Sequence, residues 1–461
     1  MTQLTITAYG AYEEVGRSAF VLHDDDRKVL LDAGIKIMPK EKNQRSLAPE
    51  GLDDICSELT SVIITHAHLD HSGYIPAIYR AGYSGQVHMT KPTKDLCSVL
   101  WRDHLRIEGP YHYSVSHLGE AKRKSSVYNY SNSFRVCDGV TARFYDAGHV
   151  LGSASILLDW DGRLILYTGD VSNAITPFHD PVTPPDLDDD IDVLIIETTN
   201  GKRVTPSRKE INAEFTKAIL KTYSTRSKIL IPSFALGRSQ EMQMFLVKLF
   251  DDFLESKLPL WVDGMILTMN EIHNKYLTKE WVSQRVLSWT KEQGLQSPFE
   301  HPGINLVNNE TTGGENREVF RRNLVKNDKP NIIVTTSGML EGGPIHTYLR
   351  YAGPTKSNLL AIVGYQVEGT IGNKIISGER NITLKTPWNK EYTLDLQLNI
   401  QTYDYSGHLS PTAAEEYVMF MSPKNLYLTH GNLSSIAAMK ERFSNLGYNA
   451  DSLKGKDPTF V

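Results

Sequence analysis

The segment Thr65-His66-Ala67-His68-Leu69-Asp70-His71 constrains this chain more than any other. It sets three imidazoles and a carboxylate on a loop that directly follows the apolar run SVII (61–64). Imidazole and carboxylate are the ligand types of open, catalytic zinc sites, and a strand end is where a rigid sheet can aim such groups. The chain has only 15 histidines, so a chance H-x-H-x-D-H is expected on the order of 10⁻³ times. On this loop His66 and His68 can face one ion while Asp70 and His71 face another. Two strand ends downstream offer what a dinuclear site still lacks: His149 in FYDAGHVLGSAS and Asp170 in LYTGDVS. One carboxylate can bind two cations, which makes Asp170 a candidate bridge.

Composition narrows the classes without choosing among them. With 461 residues the expectation is two to three domains. No apolar run approaches the roughly 20 residues that span a bilayer, and MTQLTITAYG lacks the basic and apolar regions of a secretory signal. A cytoplasmic protein without a membrane partner is therefore expected. Cys56, Cys97 and Cys137 show no C-x-x-C spacing, so neither a disulfide framework nor a thiolate site is expected. The net charge of −5 gives no global field for nucleic acid, although a metal centre brings its own positive charge to a phosphate.

Short strands fill the first 200 residues, with Asp161-Gly162 as a tight hairpin between ASILLDW and RLILYTG. PAIYRAG and the segment from Lys94 to about Leu105 read as helices, and 180–190 as an exposed connection. After VLIIETT the rhythm changes. Ser207 and Glu210 form a capping box opening a helix, and KILIPS, LWVDG, NIIVTTS and NLLAIVG alternate with helices such as GRSQEMQMFLVKLFDDFLES. Such alternation indicates a parallel sheet covered on both faces. The expected organisation is a first domain over 1–204, an inserted α/β unit over 205–365 and a return segment over 366–461. The polar stretch 288–318 reads as a long loop.

The pattern Asp32 in LLDAG, HAHLDH, His149 and Asp170 closely resembles the four motifs of the metallo-β-lactamase superfamily. VLIIETTNG with Glu197, YDYSGHLS with His408 and LYLTHGN with His430 resemble motifs A, B and C of its β-CASP ribonucleases. YEEVGRSA, IPSFALGRSQE, TTSGMLEGGP and VGYQVEGTIG add to that likeness, which is nearest the short archaeal relatives of the cleavage and polyadenylation specificity factor nuclease, with RNase J a near relative. The resemblance implies an αββα sandwich carrying an inserted β-CASP domain with a Rossmann-like parallel sheet. It implies two zinc ions, with manganese the alternative. His66, His68, His149 and Asp170 would hold one; Asp70, His71, Asp170 and His430 the other. Asp32 would orient ligands, and His408, held by Glu197, would sit at the scissile phosphate. The implied activity is hydrolysis of single-stranded RNA, endonucleolytic, from the 5′ end, or both, and the implied assembly is a homodimer. ETTNG departs from the usual ESTYG, and SGHLS lacks the acid that commonly follows the motif B histidine.

The residues leave some alternatives open. Arg238, at a helix N-terminus, fits an RNA phosphate or a salt bridge. Ser337 fits a phosphate donor or a helix N-cap. Arg317, Arg321, Arg322, Lys326 and Lys329 form a basic run that suits an RNA path or a solvated helix face. The competing functions are a DNA nuclease of the cross-link repair type, a small-molecule metallohydrolase and a non-catalytic scaffold. His430 stands against the first, the inserted unit against the second, and the intact ligand set against the third.

Overall fold

The computed structural model describes residues 3–38, 45–204, 206–253, 259–386, 390–455 and 457–460. Two seven-stranded sheets pack face to face, each in spatial order. The first runs Thr459–Phe460, Thr5–Gly10, Ala19–His23, Lys28–Leu31, Ser61–Ile63, Val87–Thr90, Ser125–Tyr128. The second runs Ala450–Ser452, Asn425–Thr429, Val193–Glu197, Arg163–Tyr167, Ala154–Trp160, Val140–Asp146, Phe134–Cys137. Alternate side chains of the strands meet between them: Ile6, Phe20, Leu22, Val29 and Leu31 from one sheet, Phe144, Ile156, Leu158, Ile165 and Tyr167 from the other. Helices Pro411–Met421 and Leu433–Asn445 cover the outer face of the second sheet, and Ile75–Arg80 and Lys91–Glu108 that of the first. This is the αββα sandwich.

A third sheet of six strands is parallel throughout: Ile304–Leu306, Leu260–Asp263, Asn331–Thr335, Lys228–Pro232, Leu359–Ile362, Asn399–Thr402. Its central strands Asn331–Thr335, Lys228–Pro232 and Leu359–Ile362 are buried on both faces, as near-continuous apolar runs require. Ile229, Ile231, Ile332 and Val334 point into a core shared with the helices of the first sheet. Leu230, Ile333, Leu360 and Ile362 point the other way, onto helices Arg317–Lys326 and Ile345–Ala352.

Several local expectations appear directly. Asp161 and Gly162, at φ 50° and 87°, turn the hairpin between Ala154–Trp160 and Arg163–Tyr167. Ser207 accepts from the Glu210 amide at 3.3 Å while the Glu210 carboxylate accepts from the Ser207 amide at 2.9 Å, closing the capping box. The helix opened by GRSQE is Arg238–Phe253; its expected extension to Ser256, and the Phe253 side chain, fall outside the described residues.

One expectation needs correction. The stretch 288–318 is not a long loop: it holds the end of helix Gln284–Glu292, strand Ile304–Leu306 and the start of helix Arg317–Lys326. The strand is too short and too polar to announce itself; its pairing with Leu260–Val262 at the sheet edge orders it. Beyond residue 365, in the expected return segment, strand Asn399–Thr402 joins the third sheet in parallel with Leu359–Ile362. That strand, NIQT, is largely exposed and carries no apolar signature.

Candidate metal centre

The site lies where parallel strands of both sheets end together. Asp32 follows Lys28–Leu31 and His66 follows the adjacent Ser61–Ile63; Asp170, Glu197 and His430 cap the neighbouring strands Arg163–Tyr167, Val193–Glu197 and Asn425–Thr429. Ligands gather outside the carboxyl ends of such strands because the loops there converge. Asp70 and His71 sit on the single helical turn Leu69–Ser72. Gly34 lets that turn come close, since a Cβ there would lie 1.7 Å from the Asp70 carbonyl oxygen.

Seven residues separated by up to several hundred positions form two groups: His66, His68, His149 and Asp170, and Asp70, His71 and His430. His68 Nδ1 lies 3.1 Å from His66 Nε2 and 3.2 Å from His149 Nε2. Tetrahedral zinc with bonds of about 2.0–2.1 Å sets its ligand atoms roughly 3.3 Å apart, so these nitrogens are spaced for one ion. Asp170 stands between the groups: its Oδ2 is 3.8 Å from both His66 and His149, its Oδ1 3.3 Å from both His71 and His430. Asp170 Oδ1 and His430 Nε2 are buried without a hydrogen-bond partner, although Asp70 Oδ2 lies 3.5 Å from the latter. Buried polar atoms are rarely left so, and a cation satisfies both. The donor set therefore fits metal ions.

Burial, then the neighbouring charge of His71, holds His66 well below its ordinary pKa. Burial likewise dominates at His149, which is also held well below. Both imidazoles are thus neutral, the form that offers a lone pair. Burial alone would raise the Asp170 carboxyl, but His430, His71 and His408 outweigh it and hold it well below the usual range.

A ring of further groups fixes these side chains. Asp32, wholly buried, accepts from His71 Nδ1 at 2.7 Å, the Thr65 amide at 2.8 Å, the Thr65 hydroxyl at 2.8 Å and the Tyr167 hydroxyl at 2.9 Å. That leaves His71 Nε2 free to face an ion. His149 Nδ1 donates to the Gly407 carbonyl at 2.7 Å. His408 Nδ1 donates to Glu197 Oε1 at 3.0 Å, and Glu197 Oε2 accepts from the Thr199 amide at 2.9 Å. Burial would lower the His408 pKa; the charges of Glu197 and Asp170 overcome it and raise it to about 9.

Of the two settings open to Arg238, the structure shows intramolecular contacts. Its guanidinium is largely buried, donating to the Tyr405 carbonyl and pairing with Glu241. Arg208 beside it donates to the Ser406 carbonyl at 2.8 Å. Together they hold the loop that carries Gly407 and His408. Ser337 accepts from the Glu341 amide at 3.0 Å, a turn-capping contact.

Residues that the sequence did not single out include Tyr167, Thr65, Gly407 and Asn200. The buried Asn200 amide donates to Ser406 Oγ at 2.8 Å and to the Leu409 carbonyl at 3.2 Å. Its position in ETTNG, where the family pattern has tyrosine, was the available signal. His104 and His112 meet Ser46 Oγ at 3.2 and 3.0 Å, away from the two His/Asp groups.

A sandwich with a His/Asp cluster at its strand ends, together with a third, parallel sheet, matches a class of metal-dependent hydrolases. Family models agree: the Metallo-beta-lactamase superfamily matches residues 12–97 and the Beta-Casp domain matches 239–375. The chain is 34% identical over 444 residues to the transcription termination factor FttA of Methanothermobacter thermautotrophicus, covering 93% of this chain and 67% of that protein. It is 29% identical over 458 residues to an RNase J-like protein of Methanocaldococcus jannaschii, covering 98% and 96%. A crystal structure of a protein of unknown function from Enterococcus faecalis V583 superposes with a TM-score of 0.57 at 13% identity over the whole of both chains, which speaks to fold alone. The chain belongs to the metallo-β-lactamase superfamily and, within it, to the β-CASP nuclease family. Among the described residues no helix is long and apolar enough to cross a membrane.

Proposed function

We propose that the chain is a zinc-dependent ribonuclease acting on single-stranded RNA. The observation that carries this reading is the Glu197–His408 pair, which sets a proton-bearing imidazole beside Asp170 at 3.9 Å, next to the two ligand groups. In this reading His66, His68, His149 and Asp170 hold one ion, and Asp70, His71, His430 and Asp170 the other. Bound there, two zinc ions would supply a nucleophile at neutral pH and offset charge on the phosphate. Glu197 keeps the His408 proton on Nδ1 and its ring fixed, so Nε2 is the atom that meets the phosphate or the departing oxygen. Asp32 keeps His71 in the tautomer whose Nε2 faces inward. The inserted unit, which we place from about residue 205 to the strand Asn399–Thr402, would form one wall of an RNA-binding cleft and the sandwich the other. Such a cleft suits a single strand.

The test is a time course on single-stranded RNA labelled at its 5′ end, with matched DNA and chelator controls. His408→Ala keeps the metal content and loses turnover, whereas Asp170→Ala loses metal. Internal fragments indicate an endonuclease, and immediate release of labelled mononucleotide indicates a 5′ exonuclease. Cleavage of DNA in preference to RNA would favour the DNA nuclease reading. No cleavage of either strand by the metal-loaded protein would favour a scaffold.

A further inference from the structure

The face of the third sheet that turns away from the sandwich carries a small cavity of about 130 Å³ between helices Arg317–Lys326 and Ile345–Ala352 and the end of strand Asn381–Lys385. Arg322, Arg350 and Lys385 line it, with Tyr351, Tyr392 and Thr347. Its charge is not balanced locally. Among the described residues neither Arg322 nor Arg350 pairs with a carboxylate. Glu318 at the rim is taken by Arg321 and the Thr347 hydroxyl. Lys385 has only a loose, exposed contact with Glu391 at 3.5 Å, of a kind that contributes little. On a chain of net charge −5, this concentration of cations is local.

The two rings turn a basic patch into a shaped site. The Arg350 guanidinium lies 5.0 Å over Tyr392 and 5.7 Å over Tyr351, and the Lys326 ammonium lies 5.3 Å over Tyr351. The Tyr392 hydroxyl donates to the His346 carbonyl at 3.2 Å, which holds that ring in place. Guanidinium planes and tyrosine faces stack unpaired bases, while arginine and lysine take the phosphates between them. The cavity is well below the 300–1,000 Å³ of pockets for whole small molecules, a size that suits a single base with its phosphates at the rim.

We propose that this cavity is a second RNA-binding site, remote from the metal centre, which takes one unstacked nucleotide of a single strand by stacking on Tyr392 and ion-pairing with Arg322, Arg350 and Lys385. The choice of RNA rests on the function proposed above; the site itself rests on the cavity. Because it lies across the sheet from the core shared with the sandwich, only a strand long enough to pass the sheet edge occupies both sites.

The test is fluorescence anisotropy in chelator, so that nothing is cut, with single-stranded RNA of about 30 nucleotides titrated at several salt concentrations. Arg322→Glu/Arg350→Glu should weaken binding about tenfold or more and flatten the slope of log K against log salt by about 1.4, two phosphate contacts at ~0.7 each. The control Arg317→Glu/Lys329→Glu, which has the same charge change outside the cavity, should leave the slope nearly as in the wild type. Tyr392→Leu should weaken binding by about tenfold through lost stacking, and Tyr392→Phe should restore it. Melting curves establish that each variant is folded. Equal effects from the two double variants, or Tyr392→Leu binding like wild type, would overturn the proposal. So would competition by poly-glutamate as strong as by unlabelled RNA, or an absence of RNA binding by the wild-type chain. Cleavage of a short oligonucleotide is unchanged in the cavity variants; cavity-dependent binding without any cleavage would sink the nuclease reading and leave this one standing.

Discussion

Replacing Asp32 by asparagine separates orienting a ligand from being one. Asp32 is an acceptor for four donors at 2.7–3.1 Å, and both of its oxygens are used. Alanine would strand all of them at about 1–3 kcal/mol each, a sum comparable with the 5–15 kcal/mol that stabilises a domain, so that variant reports on folding. Asparagine keeps the shape and one acceptor oxygen for Thr65. Its amide group, however, now faces His71 Nδ1, and two donors cannot share that contact. The imidazole answers by moving its proton to Nε2, the atom 3.3 Å from Asp170 Oδ1 that would otherwise meet the ion. Loss of such an orienting partner lowers metal affinity by about 10- to 100-fold, or ~1.4–2.7 kcal/mol. The loss falls on the Asp70, His71 and His430 group; His66, His68 and His149 do not touch Asp32. Chelator competition read by metal content should therefore remove one ion at lower chelator than in wild type and leave the other nearly unmoved. Two ions held as tightly as in wild type would refute the tautomer argument, and equal weakening of both would mean that Asp32 acts through the fold.

The remaining expectations concern the rim of the site and one half-buried acid away from it. Glu197→Gln should lower turnover by about 10²-fold or more with unchanged metal content, because it removes the charge that keeps the His408 proton in place; an unaffected rate would remove His408 from proton transfer. Asn200→Ala, which frees the 406–409 loop, should reduce turnover about tenfold without loss of metal, measured by initial rates alongside metal analysis. Gly34→Ala should lose metal from the Asp70 group, because the new Cβ meets the Asp70 carbonyl at 1.7 Å. Burial would raise the Glu108 carboxyl, but its hydrogen bonds to His104 and Ser46 prevail and lower its pKa to about 2. A depressed carboxylate stabilises the fold above its unfolded pKa, ~4.3, and that contribution is lost as pH falls towards the folded value. The melting temperatures of wild type and Glu108→Gln should thus differ most near neutrality and converge between about pH 4 and 2.

Groups whose chemistry is carried by side chains close in sequence were legible in the chain. His66, His68, Asp70 and His71 share one loop, and the apolar run before them announces the strand that presents them. Asp170 and His149 were legible because each ends a strand of its own. The Gly407 carbonyl that accepts from His149 was not, since a backbone oxygen has no residue type, and 258 residues separate the two. Arg238 was ambiguous for a related reason: its partner Glu241 lies one helical turn away, but Tyr405, whose ring and carbonyl it also meets, lies 167 residues on. The strand Asn399–Thr402 was hidden because it owes its order to a neighbour rather than to its own apolar residues.

These long-range contacts bear on how the centre assembles. Three of the imidazoles belong to the first part of the sandwich, His66, His68 and His71. His149 belongs to it too, but its ring is fixed by Gly407, and His430 comes from a strand that pairs with Val193–Glu197 only after the inserted unit has been traversed. The loop that delivers Gly407 and His408 is itself held from within that unit, through Arg238 and Arg208. Neither ligand group is therefore complete in its orienting contacts until the inserted sheet has folded and the chain has returned. Metal affinity at such a site is part of folding free energy, so a variant that loosens the Arg238–Tyr405 contact should weaken metal retention although it removes no ligand. Arg238→Lys keeps the charge but not the paired geometry that reaches both Glu241 and the Tyr405 carbonyl. It should release metal to chelator more readily than wild type while the far face of the inserted sheet, and RNA binding there, is left as it was. Metal retained at wild-type strength in a folded Arg238→Lys protein would show that the first part of the sandwich sets the centre by itself.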